Sequence, residues 1–214
     1  MTTAIIGVGN IGKPLAQHLA GAGEQVVLAA RDISGTAALA EELGDAARAA
    51  TVEEAIAQAD AVVLAVWLDV IKELLPRHAD LLDGKVIVDP SNPIGVDESG
   101  QVVRSLPEGQ SAASVVAQLL PHGAHYVKAF GTLGAASLVA AANRTPRRAV
   151  LFYATDDERA AATAERLITA AGFDPVKVGG VEDAGRIEVP GGDLHENGGL
   201  DGKLLDADEA RALI

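Results

Sequence analysis

A glycine-rich turn near the N-terminus constrains the fold more than any other part of this 214-residue chain. Residues 7–12 read Gly-Val-Gly-Asn-Ile-Gly, directly after the apolar run Ala4–Ile6 and at the start of a helical pattern that ends near Gly21. The G-x-G-x-x-G spacing alone is a weak signal, but between a strand and a helix it is typical of a dinucleotide-binding βαβ unit. A glycine turn that binds no ligand is the alternative.

Each glycine of this turn has a separate role in such a unit. Gly7 permits the tight turn, Gly9 leaves the backbone open to a pyrophosphate, and Gly12 lets the helix pack close to the strand. The amides of Asn10 and Ile11 then face the phosphates at the positive end of the helix. We therefore expect the whole turn to bind the cofactor, through Gly7, Val8, Gly9, Asn10, Ile11 and Gly12.

Apolar runs and amphipathic helical stretches alternate along the chain. Such alternation predicts βαβ units with right-handed crossovers, and hence a doubly wound, mostly parallel α/β sheet of the Rossmann type. The predicted strands are residues 4–6, 25–30, 61–67, 85–89, 126–130, 149–154 and 175–178. Residues 94–110 are expected to form an exposed polar loop, and Ser34 to cap the second helix. We divide the chain into a nucleotide-binding domain, 1–180, and a small C-terminal segment, 181–214.

The residues after the second strand select the nucleotide. In NAD-binding proteins with this unit, an acidic residue at that strand end bonds the ribose 2′-hydroxyl. This chain has Ala29-Ala30-Arg31-Asp32 there, and a guanidinium binds a 2′-phosphate with two parallel hydrogen bonds. Arg31 therefore favours NADP. In the alternative, Arg31 is a solvated charge paired with Asp32, and Asp32 reads the ribose.

The other strand ends supply further candidates, because ligands of open α/β sheets bind outside the carboxyl ends of the strands. Val66 and Trp67 follow one apolar run, and Trp67 is the only tryptophan. Trp67 either walls the nicotinamide or a planar acceptor, or fills the core. Asn92 lies in the sequence Pro90-Ser91-Asn92-Pro93. It either bonds the ribose or the carboxamide of the cofactor, or only shapes the turn.

The composition excludes several other kinds of protein. The chain has no cysteine, so disulfide frameworks, thiolate metal sites and cysteine nucleophiles are impossible. A net charge of −13 disfavours nucleic-acid binding. The N-terminus lacks the basic region of a signal peptide, and no apolar run reaches the roughly 18 residues of a membrane helix. We expect a cytoplasmic protein with no nucleic-acid or membrane partner and no bound metal.

Seven segments occur in an order that resembles one known family. They are GVGNIG, AARD, LAVW, DPSNP, SAASVVAQLLP, YVKAFGTL and GGVEDAGRIE, and they span roughly residues 3–188. This combination is similar to the F420-dependent NADP reductase family, also called F420H2:NADP oxidoreductase, to which the cytoplasmic domain of the STEAP reductases is related. The resemblance implies a Rossmann domain with a small C-terminal part, a homodimer, and hydride transfer between the nicotinamide C4 and the deazaflavin C5 of coenzyme F420.

The resemblance also implies roles for individual residues. It assigns the 2′-phosphate to Arg31, the nicotinamide side to the backbone of Val66 and Trp67, and the acceptor pocket to Ala129, Phe130 and Gly131. This chain departs from the family at Gly131, where Asn or His is frequent, and at Ala30, where Ser or Thr is frequent.

A glycine-rich segment, 191–199, also differs from the helix expected in the family. It contains His195 between Asp193 and Glu196. We place His195 in the acceptor pocket, on a segment that acts as a lid. A metal site made by these three side chains is the alternative.

Hydride transfer between two flat rings needs orientation and a dry site more than a protein acid or base. We therefore name no catalytic residue, and we expect the small side chains at 129 and 131 to let a tricyclic ring approach. The alternatives are an NADPH-dependent flavin or ferric reductase and a non-catalytic NADP-sensing protein. A β-hydroxyacid dehydrogenase or imine reductase is disfavoured, because only 36 residues follow Val178 and those enzymes append a large helical domain.

Overall fold

The computed structural model of the chain describes residues 1–214. The strands are β1 (Thr2–Ile6), β2 (Gln25–Ala29), β3 (Ala47–Ala49), β4 (Ala61–Leu64), β5 (Val86–Asp89), β6 (Ile94–Val96), β7 (Val102–Arg104), β8 (His125–Ala129), β9 (Val150–Ala154) and β10 (Asp174–Gly179). The helices are α1 (Gly12–Gly21), α2 (Ile33–Leu43), α3 (Val52–Gln58), α4 (Leu68–Arg77), α5 (Ala79–Leu82), α6 (Ala112–Leu119), α7 (Ala135–Ala140), α8 (Glu158–Ala170) and α9 (Ala207–Arg211). Two short 3₁₀ helices span Gly44–Ala46 and Val181–Ile187.

Eight strands form one sheet in the order β10-β9-β8-β5-β4-β1-β2-β3. All pairs from β3 to β8 are parallel, β9 runs antiparallel to β8, and β10 is parallel to β9. The order β3-β2-β1-β4-β5-β8 is that of a doubly wound dinucleotide-binding sheet. The predicted fold class is therefore confirmed.

Both faces of the sheet are buried. Along β1, Ala4 and Ile6 belong to one apolar cluster of 28 buried residues, and Ile5 belongs to a second cluster of 27. Along β4, Val62 and Val63 divide between the two clusters in the same way. A strand covered by helices on both faces has no solvent side, which explains why these strands read as continuous apolar runs.

The expectation of a loop over residues 94–110 was wrong in part, because a β-hairpin lies within it. Strands β6 and β7 pair antiparallel, with Ile94 opposite Arg104. Between the strands, Oδ1 of Asp97 accepts hydrogen bonds from the amides of Ser99 and Gln101, both at 2.9 Å. An Asx-type turn thus joins two short β-branched runs that the surrounding prolines and glycines had obscured.

Strand β4 is shorter than predicted. The register pairs Leu64 with Ile6, the last residue of β1, and β4 ends there. The next residues, 65–67, leave the sheet and pass against the glycine turn of β1. The apolar run therefore supplies a strand and then one wall of the ligand cleft.

The C-terminal segment packs against the same sheet. Ile187, Leu194 and Leu205 are buried in one of the two sheet clusters. The amide of Val150 at the start of β9 donates to the carbonyl of Leu205 at 3.0 Å, and Arg147 lies 2.9 Å from Asp206 and from Asp208. The chain has no helix with the length and apolar character needed to cross a bilayer.

Candidate active site

The glycines of the turn have different surroundings in the structure. Gly7 has φ +98°, and a Cβ there would lie 2.3 Å from the carbonyl oxygen of Ala65. A Cβ on Gly12 would lie 1.8 Å from the carbonyl oxygen of Gly7. A Cβ on Gly9 would meet no atom within 4 Å. Two of the glycines therefore allow close backbone packing, and Gly9 leaves open space for a ligand.

Four backbone amides of this turn have no partner in the protein. Those of Val8, Gly9, Asn10 and Ile11 donate no hydrogen bond, and no side chain caps the start of the ten-residue helix α1. Unpaired amides at a helix N-terminus form an anion site, because the helix dipole adds to the hydrogen bonds. These four amides can therefore bind an anionic group.

The residues after β2 present one free cation. Arg31 is exposed and makes no hydrogen bond or ion pair, so the predicted alternative of a pair with Asp32 does not form. Asp32 is the N-cap of α2, and its Oδ1 accepts from the amide of Gly35 at 3.0 Å. Ser34 was expected to be this cap and is not. Helix capping therefore uses one oxygen of the Asp32 carboxylate, while the Arg31 guanidinium has no protein partner.

One cleft of about 350 Å³ runs along the carboxyl ends of the strands. Its walls come from five parts of the chain. They are residues 9–11 of the glycine turn, 65–68 after β4, 90–92 and 94 after β5, 131 and 133–135 after β8, and 189, 195 and 197 of the C-terminal segment. This volume is within the range of small-molecule sites. The cleft therefore joins the anion site to three further strand ends without interruption.

Val66 and Trp67 line the cleft beside the glycine turn. Trp67 is the N-cap of α4 and is 52% exposed, so it does not fill the core. Its backbone follows the end of β4, and the buried Leu68 anchors the next turn. An indole held in this position offers a flat wall to a planar ring.

Asn92 lines the cleft with its side chain fixed at both ends. Its Nδ2 donates to the carbonyl of Gly131 at 3.0 Å, and its Oδ1 accepts from the amide of Val189 at 2.8 Å. The preceding Ser91 is tied by its backbone, since its amide donates to Oδ1 of Asp89 at 2.8 Å. The end of β5 is therefore a rigid wall.

The three residues assigned to the acceptor pocket occupy different environments. Ala129 and Phe130 are completely buried in the core and do not line the cleft. Phe130, at φ +67°, turns the chain out of β8 so that Gly131 reaches the cleft. A Cβ on Gly131 would lie 2.7 Å from the carbonyl oxygen of Pro90. The glycine thus allows β8 and the end of β5 to approach each other, and the space that we assigned to a ring is filled by backbone.

A buried ion network lies under this wall, and we did not predict it. The ammonium of Lys128 is 3.2 Å from Asp89 and 3.1 Å from Glu188, and it donates to the carbonyl of Ser91. Lys128 and Asp89 are at most 1% exposed. Burial, and then the neighbouring Asp89, raise the pKa of the Tyr126 phenol well above its ordinary value, and the neutral phenol donates to Asp89 at 2.7 Å. The only sequence signal was a lysine inside the apolar run YVKAF.

The carboxylate of Glu188 also holds a helix. Its two oxygens accept from the amides of Ala112 and Ala113 at the start of α6, each at 2.8 Å. A carboxylate at a helix N-terminus is stabilised by the dipole as well as by these hydrogen bonds. The network therefore links β5, β8, α6 and the C-terminal segment.

His195 belongs to the C-terminal segment that lines the cleft. It lines the cleft, is only 2% exposed, and its Nδ1 accepts from the amide of Asn197 at 3.0 Å. Burial lowers the pKa of His195, and Lys128 adds to this, while the Gly131 backbone and Glu196 act in the opposite direction. The imidazole is therefore neutral at neutral pH, with its proton on Nε2.

The segment around His195 is anchored. Glu196 accepts from the amide of Gly134 at 2.6 Å and from the hydroxyl of Ser137, and the amide of Glu196 donates to the carbonyl of Thr132 at 3.0 Å. Glu196 is thus used by the turn after β8, and Asp193 pairs with Arg186 at 2.8 Å. No three His, Asp or Glu side chains of the chain converge as metal ligands.

Comparison with known proteins agrees with this geometry. Residues 2–93 match the family described as NADP oxidoreductase coenzyme F420-dependent. The F420-dependent NADP reductase of Methanothermobacter thermautotrophicus is 31% identical over 202 residues, which cover 88% of this chain and 85% of that protein. A crystal structure of a hypothetical protein from Sinorhizobium meliloti is similar with a TM-score of 0.81, at 31% identity over 97% of this chain and 96% of the other.

A more distant comparison shows the fold alone. An imine reductase from Pseudomonas sp. is 20% identical, with a TM-score of 0.61, over 84% of this chain and 55% of the other. The shared region is therefore about half of that longer protein.

Proposed function

Because the chain belongs to the F420-dependent NADP reductase family, we propose that it transfers a hydride between NADP(H) and coenzyme F420 in the cleft. The observation that carries this proposal is the continuity of the cleft, which runs from the unpaired amides of the glycine turn to the wall that holds His195. Two planar ligands placed end to end along it bring their rings together at the ends of β4 and β5.

The coenzyme occupies the half of the cleft at β1, β2 and β4 in this proposal. Its pyrophosphate meets the amides of residues 8–11, and its 2′-phosphate meets the free guanidinium of Arg31. The nicotinamide then lies against Val66 and Trp67. The missing hydroxyl at Ala30 leaves Arg31 as the main determinant of NADP over NAD.

The acceptor occupies the half at β5, β8 and the C-terminal segment. Gly131, Asn92 and His195 line this half, and Ala129 and Phe130 support it from the core. In the reaction the hydride passes directly between the two rings. The residues of the chain orient the rings, hold them in contact and exclude water, and no proton transfer from a side chain is needed.

The purified protein tests the proposal. NADPH oxidation is measured without oxygen with F420, FMN and a ferric chelate as separate acceptors, and NADP⁺ and NAD⁺ binding is measured by calorimetry. We expect turnover with F420 and tight binding of NADP⁺. Turnover with FMN or the chelate alone would identify a flavin or ferric reductase, and tight NADP⁺ binding with no turnover would identify a sensor. Either result would contradict the proposal.

We also propose that the protein is a cytoplasmic homodimer and that residues 181–214 complete the acceptor half of the site. The family resemblance supports the dimer, and the packing of Ile187, Leu194 and His195 supports the role of the segment. Light scattering after size exclusion tests the dimer, because the chain mass is 21.8 kDa and a dimer has twice that value.

A further inference from the structure

The amide of Asn92 forms a bridge inside the wall of the cleft. Its nitrogen donates to the carbonyl of Gly131 at 3.0 Å and its oxygen accepts from the amide of Val189 at 2.8 Å. The NH2 group faces a carbonyl and the amide oxygen faces an N–H group, so these two partners determine which way the Asn92 amide is oriented. Both hydrogen bonds are long-range in the sequence. One joins the end of β5 to the turn after β8, and the other joins it to the C-terminal segment.

The two groups that Asn92 holds belong to one half of the site. Gly131 leads into the turn 131–135, and Val189 leads into the segment that carries His195. The glycine turn and Arg31 lie on the other side of β4, at the ends of β1 and β2, and take no part in the two hydrogen bonds of this bridge. Removal of the bridge therefore frees the acceptor wall and leaves the coenzyme half intact.

We propose that Asn92 is a positioning residue that fixes the acceptor wall by joining Gly131 to Val189, and that it is not a direct ligand of the dinucleotide. This inference rests on the proposed function. It differs from the interpretation in which Asn92 bonds the ribose or the carboxamide, because its hydrogen bonds to Gly131 and Val189 hold the side chain within the wall.

The first test is Asn92→Ala. Loss of two hydrogen bonds that order a binding wall is expected to raise the KM for F420 by about tenfold, with a smaller change in kcat. The Kd for NADP⁺, measured by calorimetry without acceptor, stays within about twofold of the wild-type value. A rise in the Kd for NADP⁺ as large as the rise in KM would overturn the proposal, because it would make Asn92 a coenzyme ligand.

Asn92→Asp gives a signature that a purely structural role does not. The ionised carboxylate still accepts from Val189 but repels the carbonyl of Gly131, which disfavours the charged form. When protonated, the same group donates to Gly131 as the amide does. We therefore expect the KM of this variant to return toward the wild-type value as pH falls from about 8 to about 5, in contrast to the Ala variant. If the KM values of the Asp and Ala variants differ by the same factor at every pH, the bridge is contradicted.

The charged and titratable groups near the bridge are Asp89, Lys128, Glu188 and His195. They are common to all variants, so the difference between the pH profiles isolates residue 92. Asn143→Asp is the matched control, because Asn143 is exposed and outside the cleft. Its pH profile is expected to follow the wild type.

Hydrogen exchange keeps this inference separable from the proposed function. The Val189 amide is protected in the wild type and exchanges faster in Asn92→Ala, whether or not F420 is the acceptor. If the wild type fails to reduce F420 while this change is observed, the function is wrong and the bridge holds. If the Val189 amide exchanges equally fast in both proteins, the bridge is wrong.

Discussion

The ammonium of Lys128 lies 3.1 Å from the carboxylate of Glu188, sixty positions later in the chain, and both are buried. Lys128 is on the last of the consecutive parallel strands, and Glu188 directly precedes Val189, which lines the cleft as part of the C-terminal segment. The pair therefore attaches this segment to the sheet. Because Lys128 also bonds Asp89 and the carbonyl of Ser91, the same ammonium fixes the end of β5.

Lys128→Met is expected to lower the free energy of unfolding by about 3–5 kcal/mol, because two carboxylates would stay buried without their cation. Urea denaturation measures this loss. The triple variant Lys128→Met, Asp89→Asn, Glu188→Gln removes the stranded charges and should recover part of the loss. A single variant as stable as the wild type would show that the network contributes little.

Arg31→Ala should weaken NADP⁺ binding by about 1.5–3 kcal/mol, which is roughly a 10- to 150-fold rise in Kd. NAD⁺ lacks the 2′-phosphate, so its Kd should change little. Arg77→Ala, which removes an exposed arginine at the far end of α4, is the control in calorimetric titrations. Equal losses for both nucleotides would refute the role of Arg31.

Gly9→Ala and Gly12→Ala should separate binding from folding. A Cβ on Gly9 meets no protein atom and projects into the open space of the turn, so the variant should fold normally but bind NADP⁺ at least about tenfold more weakly. A Cβ on Gly12 collides with the carbonyl of Gly7, so this variant should lose about 1–3 kcal/mol of stability or more. Thermal unfolding measures the stability of both variants, and calorimetry measures their affinity for NADP⁺. Wild-type affinity in Gly9→Ala would contradict the predicted role of Gly9.

Gly131→Ala should destabilise the protein by about 1–3 kcal/mol, because its Cβ would lie 2.7 Å from the backbone oxygen of Pro90. Neither group belongs to a flexible side chain, so the wall at the end of β5 has to move. Urea denaturation gives the loss, and Gly185→Ala, whose Cβ meets no atom within 4 Å, is the control. An unchanged free energy of unfolding would mean that the ends of β5 and β8 can move apart without destabilising the protein.

His195 makes stability depend on pH in a defined direction. Burial lowers its pKa in the folded protein, so as pH falls below the ordinary value of about 6.5 the unfolded chain binds a proton that the folded chain resists. Protonation of His195 in the unfolded chain then lowers the free energy of unfolding by at most about 1.4 kcal/mol for each pH unit. Well above about pH 6.5, His195 is neutral in both states and causes no pH dependence of stability.

His195→Asn keeps an acceptor for the Asn197 amide and removes the titration. Its stability should therefore fall less than that of the wild type between about pH 7 and about pH 5. Urea denaturation of both proteins across this range provides the measurement. Parallel stability curves would show that His195 titrates normally.

Local sequence patterns determined the fold class and predicted the coenzyme half of the site. The glycine turn, the apolar runs buried on both faces and Arg31 after β2 are contiguous signals, because each role depends on residues adjacent in the chain. The capping box of Thr51 and Glu54 at the start of α3 is a local feature of the same kind. The cap of α2 was missed by two residues, since Asp32 and Ser34 are both good capping residues and backbone geometry chose between them.

Only the tertiary structure decided how the cleft wall at the ends of β5 and β8 is built. The bridge from Asn92 to Val189 and the ion pair of Lys128 with Glu188 join residues far apart in the chain, and no spacing rule relates them. The need for glycine at position 131 comes from the nearby carbonyl of Pro90, which is 41 positions earlier in the chain. Long-range contacts depend on which strands become neighbours and how closely they approach. Local sequence patterns do not specify these distances, because they are set only when the whole sheet has formed.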